Sequence, residues 1–255
     1  MPPSHQLAIL SRRSFHSHRL VSSRPVPLAK YDVNSLRRVS SAAAAQPQYA
    51  QNVLAAGGKS ALTPSPLSDE QKRFLDSALR VNQAGELAAV LIYSAQTPPI
   101  VRTHPHLLQL MKHMYDQEAG HYKTFNEILV KHRVRPTVMY PLWKAAATTL
   151  GWSTAVMGRE AAMACTEAVE TEIGDHYNSQ IRVLLDWAAD LEAKGEDFGP
   201  EMKELLATLR RIRDEELEHL DHAVMNDAKE AKPYELLTNV IRGGCRAAIW
   251  ISERV

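Results

Sequence analysis

Asp116-Gln117-Glu118-Ala119-Gly120-His121 and Asp214-Glu215-Glu216-Leu217-Glu218-His219 both read D-x-E-x-x-H. On a helix, residues i and i+3 share a face, so each Glu–His pair can reach one metal ion. A lone E-x-x-H is weak evidence, since chance supplies it readily; two copies that both carry the preceding Asp are not readily supplied by chance. A di-metal helix bundle also needs one Glu from each of two further helices. Glu86 and Glu170 are the candidates, 32 residues before Glu118 and 46 residues before Glu216. Each sits one helix upstream of a motif, which gives the site an internal twofold plan. Glu86 is the only acid between Asp76 and Asp116 and is surrounded by apolar and small residues, so if buried it needs a partner. The competing reading is two solvated acidic faces with surface histidines. It leaves the paired arrangement to coincidence. Carboxylate-rich ligation suits iron or manganese, whereas zinc prefers more Cys or His.

Outward from these motifs the chain reads as helices. Ser68-Asp69-Glu70-Gln71 is a capping box, and apolar residues from Phe74 to Leu91 then recur at helical spacing to about Gln96. Pro98-Pro99 is expected to end this helix. A second helix is expected over 104–132, stopped before Pro136. Residues 137–194 are helical in pattern, broken early by Pro141, Gly151 and Gly158, with Lys194-Gly195 as the stop. Gly199-Pro200 opens a helix to about 229, and Pro233 opens the last. No stretch alternates as a strand does, so the fold class is all-α; with the paired ligand plan above it is expected to be a ferritin-like helix bundle with an additional membrane-interface helix.

Residues 1–40 carry seven Arg and Lys against one acid, Asp32. This Arg- and Ser-rich leader has the composition of a mitochondrial transit peptide. Residues 41–67, rich in Ala, Gln, Ser, Gly and Pro, read as a disordered linker, leaving 68–255 as the folded domain. Residues 41–255 hold 23 basic and 28 acidic residues, an acidic balance that argues against nucleic acid as a partner. Cys165 and Cys245 are too few for a disulfide framework. No apolar run reaches the length of a bilayer span. Ala145–Gly158, with Trp152, and the last helix, with Ile249, Trp250 and Ile251 beside Arg242 and Arg246, read either as membrane-interface segments or as ordinary packing surfaces.

The strings VNQAGE, DQEAGH, HRVRPTVMYPLW, GREAAMACTEAVE, HYNSQIR, RDEELEHLDH and the ending RAAIWISERV resemble the demethoxyubiquinone hydroxylase family, over nearly all of 77–255. The family's iron ligands fall on Glu86, Glu118, His121, Glu170, Glu216 and His219, matched in type at all six positions. The run Thr171-Glu172-Ile173-Gly174-Asp175 departs from the family pattern. The resemblance implies an enzyme holding two Fe ions, with O2 as co-substrate and NADH as the reductant. It would hydroxylate demethoxyubiquinone to the demethylated hydroxyquinone, a late step of ubiquinone biosynthesis. It also implies a polyprenyl quinone substrate, a peripheral position at the matrix side of the mitochondrial inner membrane, and a lipid-binding partner protein within a ubiquinone-synthesis complex. A polyprenyl tail needs an apolar path from the bilayer, which turns Ala145–Gly158 and the last helix toward the membrane-interface reading. The sequence has no G-x-G-x-x-G placed for a nicotinamide module. His176 and Tyr177, six and seven residues after Glu170, are candidates for orienting a ligand or relaying electrons and protons. A packed His-Tyr pair is the alternative. Asp116 and Asp214 are expected to accept hydrogen bonds from the ligand histidines, or else are solvated helix acids. Iron storage, a non-catalytic scaffold and a quinol-oxidising di-iron oxidase are the rival functions.

Overall fold

Helix α1, Asp69–Thr103, opens on the capping box: the Gln71 amide donates to Ser68 Oγ at 3.2 Å, and the Ser68 amide to Gln71 Oε1 at 2.9 Å. One buried stripe runs its length at alternating spacings of four and three: Leu75, Leu79, Asn82, Glu86, Ala89, Tyr93, Gln96, Ile100. That is the seam of a helix bundle, and it places Glu86 on the core face. The structure, a computed structural model, describes residues 66–255. The leader 1–40 and the linker up to residue 65 lie outside the described residues.

Pro98-Pro99 does not end α1, contrary to expectation. The helix continues to Thr103 with both prolines inside it. The two missing donors leave the carbonyls of Ser94 and Ala95 without helical partners. Ser94 and Pro98 are exposed, however, so water can satisfy the first. The Thr97 hydroxyl donates to the Tyr93 carbonyl at 2.7 Å, and the seam carries on to Ile100, which is 1% exposed. Packing of the apolar face outweighs the local penalty.

A 3-10 turn, Pro105–Leu107, leads into α2, Leu108–His132; α3 is Tyr140–Met157 and α4 is Arg159–Ala193. The break between α3 and α4 is Gly158, whose φ of 128° suits glycine. Helix α5 is Pro200–Met225, and α6, Tyr234–Ser252, follows Pro233. Among the described residues there is no strand. The helices repeat in length: 35, 25 and 18 residues for α1 to α3, then 35, 26 and 19 for α4 to α6. Helix α1 packs on α2 and α3, and α4 packs on α5 and α6. The result is a ferritin-like four-helix core, α1, α2, α4 and α5, with α3 and α6 laid against it as cover helices.

Two apolar layers fill that core. One holds Leu79, Phe125, Leu184 and Ile212; the other holds Ile100, Met111, Met114 and Met163. Between them, at matched heights on all four helices, lies a belt of polar residues. Against this core, α3 approaches α1 closely at Gly151. A Cβ at that position would stand 2.5 Å from the Ile92 carbonyl oxygen and 2.8 Å from its Cα. Gly151→Ala is therefore expected to force the two helices apart, costing about 1–3 kcal/mol and lowering Tm by roughly 3–10 °C in calorimetry. Gly243→Ala, whose Cβ would meet nothing within 4 Å, is the control and should leave Tm level or slightly raised.

Candidate metal centre

The seams bring all six expected residues into that belt. Glu86 comes from α1, Glu118 and His121 from α2, Glu170 from α4, and Glu216 and His219 from α5, every one at most 3% exposed. They form two groups whose ligating atoms lie within 4.8 Å of one another. The first is Glu86, Glu118, His121 and Glu216; the second is Glu118, Glu170, Glu216 and His219. Glu118 and Glu216 belong to both, so the two groups share a pair of carboxylates across the bundle axis. His121 Nδ1 lies 3.0 Å from Glu216 Oε1 and 3.4 Å from Glu86 Oε2. His219 Nδ1 lies 2.9 Å from Glu118 Oε1 and 3.2 Å from Glu216 Oε2.

Each outer histidine nitrogen is fixed from the opposite helix. His121 Nε2 donates to Glu215 Oε2 of α5 at 2.6 Å, and His219 Nε2 donates to Gln117 Oε1 of α2 at 3.0 Å. These acceptors hold a proton on Nε2 and turn Nδ1 toward the belt carboxylates, where a metal ion would take its lone pair. Asp116 and Asp214 do not take this role. They are exposed and pair with Lys112 and Arg213. Each Asp stands five residues before the histidine of its own motif, about 140° around the helix from it. The acceptor is the next residue, working across the seam. Glu215→Ala is therefore expected to weaken divalent-metal affinity about 10–100-fold, with Asp214→Ala near wild type; equilibrium metal titration separates them.

The two lone glutamates are held by a second cross-helix exchange. Tyr177 of α4 donates to Glu86 of α1, and Tyr93 of α1 donates to Glu170 of α4 at 3.0 Å. Both tyrosines are 1% exposed. Tyr177 was a sequence candidate; Tyr93 was missed, although each stands seven residues after its own helix's glutamate, a repeat visible in the sequence. His176 makes no such contact. Its Nε2 is buried without a hydrogen-bond partner among the described residues, and burial lowers its pKa to about 4.

Electrostatics marks the belt as a cation site. Burial raises the carboxyls of Glu86 and Glu170, and the charge of Glu216 raises both further. Burial pulls the imidazoles down, but the Glu118 and Glu216 carboxylates beside them outweigh it and raise both, His219 to about 11. Burial also opposes ionisation of Glu216, yet the two histidines beside it hold it well below the usual carboxylate range. Eight buried atoms of these six residues have no hydrogen-bond partner among the described residues: both oxygens of Glu118 and of Glu216, one of Glu86, one of Glu170, and both Nδ1 atoms. Buried polar groups are rarely left so, and all eight converge on the belt. Four carboxylates and two neutral imidazoles balance two divalent cations, so the donor set fits a pair of metal ions.

Glu86 also lines a cavity of about 430 Å³ roofed by α3 and α6. Its walls are almost wholly apolar and include Leu150, Ile173, Ile241 and Ile249; His176 is one of its few polar groups. Trp143 Nε1 of α3 donates to Ser252 Oγ of α6 at 3.0 Å, joining the two covers. The run that departs from the family pattern has a structural answer here. Glu172, 6% exposed, accepts Arg242 Nε at 2.6 Å and Arg246 Nε and Nη2 at 2.8 Å, fastening α6 onto α4. Burial raises its carboxyl, but the two guanidiniums outweigh this and hold it below the ordinary value.

The family description "Ubiquinone biosynthesis protein COQ7" matches residues 73–252. The chain is 49% identical over 191 residues to the Saccharomyces cerevisiae "5-demethoxyubiquinone hydroxylase, mitochondrial", covering 74% of this chain and 82% of that protein. It is 42% identical over 189 residues to the human "NADPH-dependent 3-demethoxyubiquinone 3-hydroxylase, mitochondrial", with 74% and 82% covered. To the Rhodospirillum rubrum "3-demethoxyubiquinol 3-hydroxylase" it is 39% identical over 201 residues, with 79% and 88% covered. With a match across most of its length and relatives aligned over most of theirs, the chain belongs to the COQ7 family of ubiquinone biosynthesis proteins.

Proposed function

We propose that this chain is a di-iron monooxygenase that hydroxylates demethoxyubiquinone to the demethylated hydroxyquinone, with O2 as co-substrate and NADH as electron source. The observation that carries the reading is the junction of two sites at one residue. Glu86 belongs to the metal belt and to the apolar cavity, so a ring seated in the cavity lies beside the belt. The ligands of the two Fe ions would be Glu86, Glu118, His121, Glu170, Glu216 and His219. Iron bound there supplies the reduction of O2 that ring hydroxylation requires.

The chain's own residues supply the rest. About 430 Å³ lies within the usual range for a small-molecule site, roughly 300–1,000 Å³. Its greasy walls favour a quinone ring and the start of a polyprenyl tail, and exclude water. Tyr177 and Tyr93 hold Glu86 and Glu170 in place by hydrogen bonds. His176 lines the cavity and is kept neutral by burial, and it is the side chain that would relay the proton of a ring oxygen. His176→Ala should lose turnover with iron retained; a merely packed histidine would instead lower Tm and spare turnover.

The same reading places the protein peripherally at the matrix side of the mitochondrial inner membrane, with a lipid-binding partner protein in a ubiquinone-synthesis complex. It is supported by the mitochondrial relatives and by the exposed apolar side chains of the cover helices. No helix among the described residues is long and apolar enough to cross a membrane. The human and rat relatives are called NADPH-dependent, so the two nicotinamides must be compared.

The test is mass spectrometry of the quinones after the iron-loaded protein meets demethoxyubiquinone, O2 and either NADH or NADPH. A product heavier by one oxygen, absent with Glu170→Ala, is the expected result. Oxygen consumption without that product would indicate a quinol oxidase; neither, with iron bound, would indicate storage or a scaffold.

A further inference from the structure

The α2–α5 seam carries a third group of donors, outside the belt and near the surface. His113 of α2 meets Glu218 and His222 of α5, with one ligating atom from each within 4.8 Å of the others. His113 and Glu218 are exposed and His222 is half-buried. Glu218 and His222 are one turn apart on one face of α5, with His222 Nε2 3.5 Å from Glu218 Oε1. The rings of His113 and His222 stand edge to face, their centroids 6.3 Å apart. Among the described residues no other side chain hydrogen-bonds to the side chains of these three, so their donor atoms are free to turn toward a common point.

We propose that His113, Glu218 and His222 form an outer binding site for one divalent first-row transition-metal ion, zinc or its neighbours. Two imidazoles and a carboxylate are a well-known donor set for such ions, which sit about 2.0–2.2 Å from each ligand atom. Donors at that radius can be up to about 4.2 Å apart, so small rotations of these exposed side chains complete the site. Three protein ligands leave a position for water, and exposure gives the ion direct access. The set differs from the belt in kind: it is imidazole-rich, it is wet, and it has no buried carboxylate to neutralise.

The ion would also act as a strap. Helices α2 and α5 carry four of the six belt residues, and His222 lies one turn beyond His219. A metal held between His113 and His222 therefore fixes the separation of the two helices next to the belt. Such a cross-helix chelate binds the folded state alone and raises its stability by mass action.

The experiment is calorimetric titration of Zn2+ into the full chain at neutral pH, with His113→Ala, His222→Ala and Glu216→Ala in parallel. The wild type is expected to take three ions per chain. His113→Ala and His222→Ala should take two, with the outer affinity reduced beyond the 10–100-fold that an outer-sphere partner costs. Glu216→Ala should keep the outer ion. A single ion in the wild type, lost in His113→Ala, would uphold the outer site while showing that the belt does not take zinc. Equal stoichiometry and affinity in wild type and His113→Ala would overturn the proposal. That variant removes an exposed side chain, so misfolding would not explain the result.

Discussion

Replacing Glu118 or Glu216 by alanine should leave the belt unable to hold either metal ion of the proposed pair, whereas Glu86→Ala or Glu170→Ala should leave one. The asymmetry follows from membership: Glu118 and Glu216 are the carboxylates common to both groups, while Glu86 and Glu170 each serve one. Deleting a shared carboxylate takes a donor and a negative charge from each group. It also leaves two divalent ions facing each other with less intervening charge. In a dry interior that repulsion is far larger than in water. Metal analysis of protein loaded anaerobically with ferrous iron reads the outcome directly: about two per chain for wild type, near zero for Glu118→Ala and Glu216→Ala, near one for the others. Hydroxylated product should fall below detection in all four. Two irons retained by Glu118→Ala would sink the shared-carboxylate arrangement whatever the activity did.

Much of this arrangement could be read in the chain before its fold. Ser68 and Gln71 announce the start of α1 through chemistry confined to four residues. The paired motifs place Glu118, His121, Glu216 and His219 on facing seams because helical periodicity alone decides which residues share a face. Glu86 stands out as an isolated acid in an apolar stretch. Features that depend on a second helix escaped. Asp116 and Asp214 looked like the histidine acceptors because they recur with the motif, but Gln117 and Glu215 do the work from across the bundle. Tyr93 was passed over because its partner, Glu170, is 77 residues away. Pro98-Pro99 read as a stop because the local penalty is visible in the sequence, whereas the packing of Ile100 that overrides it is not. The cavity and the Glu172 clamp are likewise products of where α6 lies on α4, and no periodicity along α6 reports that.

A membrane-facing role for the cover helices makes the second large prediction. Trp152 of α3 is 57% exposed, and Leu236 and Trp250 of α6 are 64% and 58% exposed. Large apolar side chains held in water on two helices that roof an apolar cavity cost stability with no return inside the fold. The Arg254 guanidinium lies 4.2 Å above the Trp250 ring, the pairing of aromatic and cation that suits a headgroup layer. Burying each of the three in a bilayer interface would gain about 1–2 kcal/mol, scaled from the value for full burial by the fraction now exposed. Converting all three to glutamate removes those gains and adds charges that resist insertion. Partitioning onto phospholipid vesicles should fall on the order of 10³-fold or more, since every 1.4 kcal/mol is tenfold. Iron content and Tm should stay at wild-type values, because none of the three side chains belongs to the belt or the buried core. The quinone assay then divides in a way that loss of fold cannot imitate. A short-tailed, water-soluble demethoxyquinone should be turned over as before, while the long-tailed substrate delivered in vesicles should not. If the triple variant sediments with vesicles as the wild type does, the cover helices face something other than lipid. The partner protein would then be the surface to seek.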